Sequence, residues 1–169
     1  GIKFILSPKG NHSSAFNNAI SQAKGEWIKE CHDDDELLPG AVSNLLSASG
    51  DSSLVYGNAI DVYPDGELIY RPPKEITILS LLPVITNPIN FLSMMFRKSA
   101  WEEVRFDTNL VHSEDYDFYM GLLFKGHKFN YCDKEIVRYR HHPEQLTAVN
   151  TAALRAWARN YLHNKYKIS

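Results

Sequence analysis

Residues 26–40, EWIKECHDDDELLPG, decide how the rest of the chain is read. Trp27 and Ile28 start an apolar segment, Asp33, Asp34, Asp35 and Glu36 follow, and Pro39 closes the stretch. Adjacent carboxylates repel one another, so a row of them needs a reason. Two reasons stand open at this point. Acidic residues ahead of a helix N-terminus are favourable on dipole grounds alone. Carboxylates crowded at a strand end also suit a hard divalent cation, which takes oxygen ligands and leaves positions for phosphate oxygens.

Upstream, IKFIL (2–6) reads as a short buried strand ended by Ser7-Pro8. NHSSAFNNAISQAKG (11–25) has polar capping residues, then Ala15, Ala19, Ile20 and Ala23 on one helical face, with Gly25 as the stop. Residues 26–32 form a second strand, and Pro39 opens a helix over 40–48. Strands alternating with helices argue for a parallel, doubly wound sheet, where ligands bind beyond the carboxyl ends of strands. The acidic run lies at such an end.

Downstream, SLVYGNAIDVY (53–63) and ELIYR (67–71) flank the turn PDG and predict a hairpin. EITILSLLPVI (75–85) reads as a short apolar helix or buried loop, and NFLSMMFRKSAWEEV (90–104) as a strand followed by a helix. EDYDFYMGLLFKG (114–126) predicts a helix closing at Gly126, and KFNYCD and EIVRYRHH predict two more strands. The last helix puts Leu154, Trp157, Ala158, Tyr161 and Leu162 on one face.

A length of 169 residues allows one domain with a real core, and 44% hydrophobic against 22% charged residues favours folding over disorder. A formal net charge of −2 is no polyanion-binding signature, so nucleic acid is not an expected partner. No apolar run reaches the ~20 residues of a membrane span. Cys31 and Cys132 are too few for a disulfide framework and read as reduced, buried thiols, in keeping with a cytoplasmic protein.

Residues 17–42, NNAISQAKGEWIKECHDDDELLPGAV, resemble the nucleotide-sugar half of family-two glycosyltransferases with the GT-A fold. Asn17, Ala19, Ala23, Gly25-Glu26-Trp27-Ile28, Asp34-Asp35 and Pro39 fill the places of that family's pattern, and His32 stands where many members carry the first Asp of an Asp-any-Asp-Asp motif. A second block, residues 113–147, resembles the acceptor half through Glu114-Asp115, Gly126, and Tyr139, Arg140 and His142. The two blocks lie about 80 residues apart in the family's order, and the likeness reaches about residue 147.

The resemblance implies an α/β fold, a GT-A-like nucleotide-diphospho-sugar transferase with a doubly wound mixed sheet and helices on both faces, lacking the first β-α-β portion. It divides the chain into a domain over 1–150 (1–60 from the nucleotide-sugar half, 61–150 the acceptor half) and a C-terminal amphipathic helix over 151–169. Relatives carry a strand, a helix and a strand ahead of what is here Gly1, roughly 70 to 100 residues by ordinary domain size. The isolated 169 residues are accordingly expected to bind nucleotide-sugar poorly, and an exposed sheet edge invites pairing with a second copy. The implied activity is metal-dependent, inverting transfer of a sugar from a nucleotide-sugar, a UDP-sugar foremost, to a saccharide or lipid-linked hydroxyl. The alternative is a truncated or non-catalytic GT-A-like binding module. A nucleotidyltransferase also uses acidic clusters, but the second block argues against it.

The implied roles are specific. Asp115 is the base, with Glu114 its neighbour. A helix N-terminus favours the ionised form that a base requires. Asp34, Asp33 and His142 hold Mn2+ or Mg2+, and Asp33 faces the donor, as do Asn17, which alternatively only fixes the helix start, and Arg140, which alternatively pairs with a core acid. Ser93 and Met94 read as strand core, though the equivalent passage in relatives borders the acceptor. His141, next to His142, points the other way on a strand. Trp101 and Trp157 read as packing, and His12, His112, His127 and His163 as surface or loop residues. Arg155, Arg159, Lys165 and Lys167 leave the last helix without an acid. Such a helix suits either ordinary surface or a peripheral contact at the inner face of an anionic membrane.

Overall fold

A computed structural model describes residues 3–7, 10–78, 87–145 and 152–167. The elements run α1 (His12–Gln22), β1 (Trp27–Ile28), β2 (Glu36–Leu37), α2 (Ala41–Ser49), β3 (Leu54–Tyr63), β4 (Gly66–Tyr70), a 3-10 turn (Phe91–Ser93), β5 (Met94–Arg97), α3 (Lys98–Glu103), α4 (Glu114–Phe124), β6 (Phe129–Arg140) and α5 (Ala152–Tyr166). Six strands form one mixed sheet in the order β1-β5-β3-β6-β2, with β4 paired to β3 off that path. Among the described residues only the β3–β6 pairing is parallel.

Alternation along the central strands builds a core on each face. Leu54 and Tyr56 of β3, with Met94 and Phe96 of β5, pack against Trp101, Phe106, Phe118 and Leu122. Val55 and Met95, one residue out of phase, pack with Ala41 and Leu45 of α2 on the other face. The helices on both faces therefore follow from the period of two in LVY and MMF.

Several expected elements hold. The hairpin turns at Pro64-Asp65, with Tyr63 opposite Gly66. Residues 94–103 are a strand followed by a helix, and the helix from Glu114 ends ahead of Gly126 at φ 81°.

Others are corrected. Residues 3–7 form no strand, and Phe4 and Leu6 are 90% and 95% exposed, because no described strand lies beside them. The expected strand over 26–32 shrinks to Trp27–Ile28. From Lys29 onward the side chains take partners outside the ladder, Lys29 Nζ donating to the Leu92 carbonyl at 2.7 Å. The two strands expected over 128–142 are one, β6, whose register against β3 shifts between Gly57 and Ala59. Cys31 is exposed; only Cys132 is buried. Most of the 75–85 segment lies outside the described residues.

The last helix docks through a face rotated from the expected one. Ala158 and Leu162 are buried, while Leu154 and Trp157 are exposed and Trp157 stacks on Tyr161. Lys165 donates to Asp107 and Asp117 at 2.8 Å each, and Tyr166 donates to Asp117 Oδ1 at 2.7 Å. These bonds tie α5 to α4 and to the loop before it. Among the described residues no helix is long and apolar enough to cross a membrane.

The register shift also explains Gly57. A Cβ there would meet Ile136 Cγ1 at 2.6 Å and the Lys134 carbonyl at 2.8 Å, and the latter is backbone. Gly57→Ala is expected to lower stability by about 1–3 kcal/mol, read as a drop in the urea midpoint.

Candidate active site

The start of α1 is fixed to a distant loop. Asn11 caps the helix by accepting from the Ser14 N–H at 3.1 Å, and its amide donates to the Thr108 and Leu110 carbonyls at 2.8 Å each. His12 is thereby held against α4, with Nδ1 3.1 Å from Glu114 Oε1.

The acidic loop is fixed by its own third aspartate. The Asp35 side chain is fully buried, and Oδ1 accepts from the Arg140 N–H at 2.8 Å. Arg140 returns a bond from Nη1 to the Asp34 carbonyl at 2.9 Å, and β2 pairs antiparallel with β6 next to it. With Asp35 turned in, Asp34 turns out and meets His142 Nε2 at 3.0 Å. Both side chains in that pair are more than a third exposed.

Across the cleft, α4 begins with Glu114, Asp115 and Asp117 after Ser113 in the left-handed region, φ 62°. Asp117 turns into the core toward Lys165 and Tyr166. Asp115 accepts from the Tyr116 N–H at 2.7 Å and from the Asn87 amide. Between the two acidic groups lies a cleft of about 760 Å³ whose walls include Asp33, Asp34, His12, His32, Glu114 and Asp115. Asp61, Tyr70 and Tyr139 also line it.

Environment splits the carboxylates. Burial, reinforced by the Glu114 charge, pushes Asp115 up to about 7. Desolvation therefore outweighs the helix dipole that was expected to keep it ionised. Burial also pushes Glu114 upward, but the hydrogen bond from His12 and the charges of His12 and His112 bring it below the usual range. The His142 hydrogen bond lowers Asp34. A raised and a lowered carboxyl side by side is the pairing that acid–base chemistry uses.

Of the expected site residues, Asp33, Asp34, Glu114 and Asp115 share the cleft, and His142 touches Asp34. The other expected residues have protein partners or lie in the core. Asn17 spends its amide on structure, accepting from Trp101 Nε1 at 2.9 Å and donating to the Phe106 carbonyl at 2.8 Å. Arg140 is committed to the acidic loop and to Glu36 at 3.6 Å. Ser93 and Met94 are core, 0% and 2% exposed. His141, expected to face away from His142, stacks on Tyr63 and bonds Asp61 at 2.9 Å. Sequence reasoning passed over His12, Asn87 and Glu30. His12 and Asn87 gain their places from contacts with Glu114 and Asp115, far along the chain, and Glu30 joins His12, 18 residues before it, to His32.

The donor set can be tested against a divalent cation on its own chemistry. Oxygen and imidazole donors from His32, Asp34 and Asp35 lie within 4.8 Å of one another, and the buried Asp35 Oδ2 has no hydrogen-bond partner. Carboxylates with imidazole suit manganese and its neighbours, so the residues present fit such an ion.

The profile of the family described as "Glycosyl transferase family 2" matches residues 1–104. A chondroitin synthase of Pasteurella multocida is 33% identical over 140 residues, covering 79% of this chain and 14% of that protein. An uncharacterized glycosyltransferase of Rickettsia bellii is 26% identical over 155 residues, 85% of this chain and 22% of its own length. Among solved structures, S. aureus TarS 1–349 in complex with UDP-GlcNAc superposes with a TM-score of 0.64 at 16% identity, over 85% of this chain and 42% of that one. The chain thus spans about a fifth or less of these two curated relatives and under half of the TarS chain. The TarS likeness shows the fold, a GT-A-type mixed sheet with helices.

The raised Asp115 carboxyl sets a stability prediction. A folded-state pKa above the unfolded one costs nothing below about pH 4 and costs most above about pH 7. Asp115→Asn is therefore expected to match the parent at pH 4 and to exceed it by about 2–4 kcal/mol at pH 8, read from urea midpoints at both pH values.

Proposed function

The chain belongs to glycosyl transferase family 2, and on that premise we propose that its cleft binds a nucleotide-diphospho-sugar and passes the sugar, with inversion, to an acceptor hydroxyl. The observation that carries this reading is that two acidic groups about 80 residues apart in sequence line one cleft. TarS, solved with UDP-GlcNAc and with UDP, supports a UDP-sugar as donor. The chondroitin synthase supports a saccharide acceptor.

The donor's diphosphate lies toward Asp33, Asp34 and His142. These three residues would hold the divalent cation of the resemblance, with His32 and Asp35 beside them. A bound manganese or magnesium ion supplies charge neutralisation for the diphosphate as it departs. The anomeric carbon then faces the α4 side of the cleft. The acceptor oxygen attacks that carbon as its bond to the diphosphate breaks, and the hydroxyl proton passes to the Asp115 carboxylate. Displacement from the face opposite the leaving group inverts the anomeric configuration. Asn87 orients the Asp115 carboxylate through its amide donor. Glu114, held ionised by His12, keeps the Asp115 pKa high enough for it to accept a proton near neutrality.

One observation favours the alternative of a binding module without turnover. His32, at the place of an expected aspartate, gives its Nε2 to Glu30 at 2.8 Å instead of to the cleft's acids. Turnover by the parent protein separates the two readings.

Sugar release from UDP-GlcNAc with manganese and an oligosaccharide acceptor is expected to rise with pH up to about 7 and then level, as Asp115 ionises. Asp115→Asn is expected to lower kcat by about 10²–10⁴ with a small change in KM. An unchanged rate in that variant removes Asp115 as base, and a parent inert with every UDP-sugar leaves the binding module.

A further inference from the structure

We propose that His12, Glu30 and His32 form a second cation site for a zinc-class ion that prefers imidazole, adjoining the Asp34 group and sharing His32 with it. Two imidazoles converge there on one carboxylate oxygen. Glu30 Oε1 lies 2.8 Å from His32 Nε2 and 3.9 Å from His12 Nε2. The ring centres of the two histidines are 5.7 Å apart and near perpendicular, at 67°. Donor atoms on a tetrahedral zinc ion with bonds of about 2.0–2.1 Å stand roughly 3.3 Å apart, and the two Glu30 distances bracket that value. One donor atom from each of the three residues falls within 4.8 Å of the others.

The far side of each ring carries the second observation. A metal-bound histidine usually gives its other nitrogen to a carboxylate, which fixes the tautomer and strengthens the ligand. His12 Nδ1 is on Glu114 Oε1 at 3.1 Å. His32 Nδ1 faces Asp35 Oδ2 at 3.7 Å, and that oxygen is buried without a hydrogen-bond partner. Both Nε2 atoms are thus backed by acids and directed at Glu30. Residue type agrees: two imidazoles and a carboxylate are a zinc donor set with a fourth position open, whereas magnesium favours oxygen alone. His12 and His32 both line the cleft, so the open position can take an exogenous ligand there. The site joins the start of α1 to the acidic loop and reaches Glu114 through His12.

Metal binding is read without any sugar transfer, so this proposal stands or falls apart from the transferase reading. Untagged protein is titrated with Co2+ as the spectroscopic stand-in, and Zn2+ then competes it off. One equivalent with visible d–d bands is expected. His12→Ala and Glu30→Gln are each expected to abolish the bands and weaken Zn2+ at least tenfold, with unchanged far-UV circular dichroism. Asp34→Asn is expected to keep them. No bands in the parent, bands that survive both variants, or bands lost in Asp34→Asn alone overturn the proposal.

Discussion

One buried carboxylate organises the cleft. Asp35 has no exposed side-chain surface, and it accepts the N–H of Arg140 at 2.8 Å. Burying a carboxylate is costly unless hydrogen bonds satisfy it, so this bond fixes the acidic loop to the end of β6. Two placements go with it. Asp34 is turned outward to His142, and Arg140 is drawn over the Asp34 carbonyl. Residues from two distant parts of the chain meet at the same strand end for this reason.

The parallel β3–β6 pairing carries the loop's anchor into the core. Both strands are central, and β3 is flanked by β5 and β6 over its first half. Gly57 lets the two backbones approach while β6 shifts register by its extra residues. Past that shift β6 runs on from Val137 to Arg140, and His141 and His142 follow its end. A strand without the shift would place a different set of residues at the acidic loop.

The cleft collects like charges, and histidines temper them. Asp33, Asp34, Glu114 and Asp115 line it, with Glu30 just behind. His142 meets Asp34, His32 meets Glu30, and His12 meets Glu114. Asp115 alone among these pairs has a neutral amide, Asn87, as its side-chain partner, and it is the acid with its pKa pushed up to about 7. A carboxyl kept so near neutrality costs fold stability at physiological pH, the usual tension between a working site and a rigid one.

The sequence by itself determined the elements whose pattern is local. The apolar run MMF set a strand, the PDG turn set the hairpin, and the Asp run and the Glu-Asp pair marked two groups of residues that line the cleft, because chemistry concentrated in adjacent residues shows without any fold. Only the tertiary structure decided what depends on long contacts. It joined the two segments of β6 into one strand, gave Asn17 partners in Trp101 and Phe106 and Arg140 a partner in the acidic loop, and moved His12 from an unremarkable surface position to the side of Glu114, 102 residues on. A side chain's partner across the fold is set by packing and by the burial of groups such as Asp35, and neither leaves a period in the sequence.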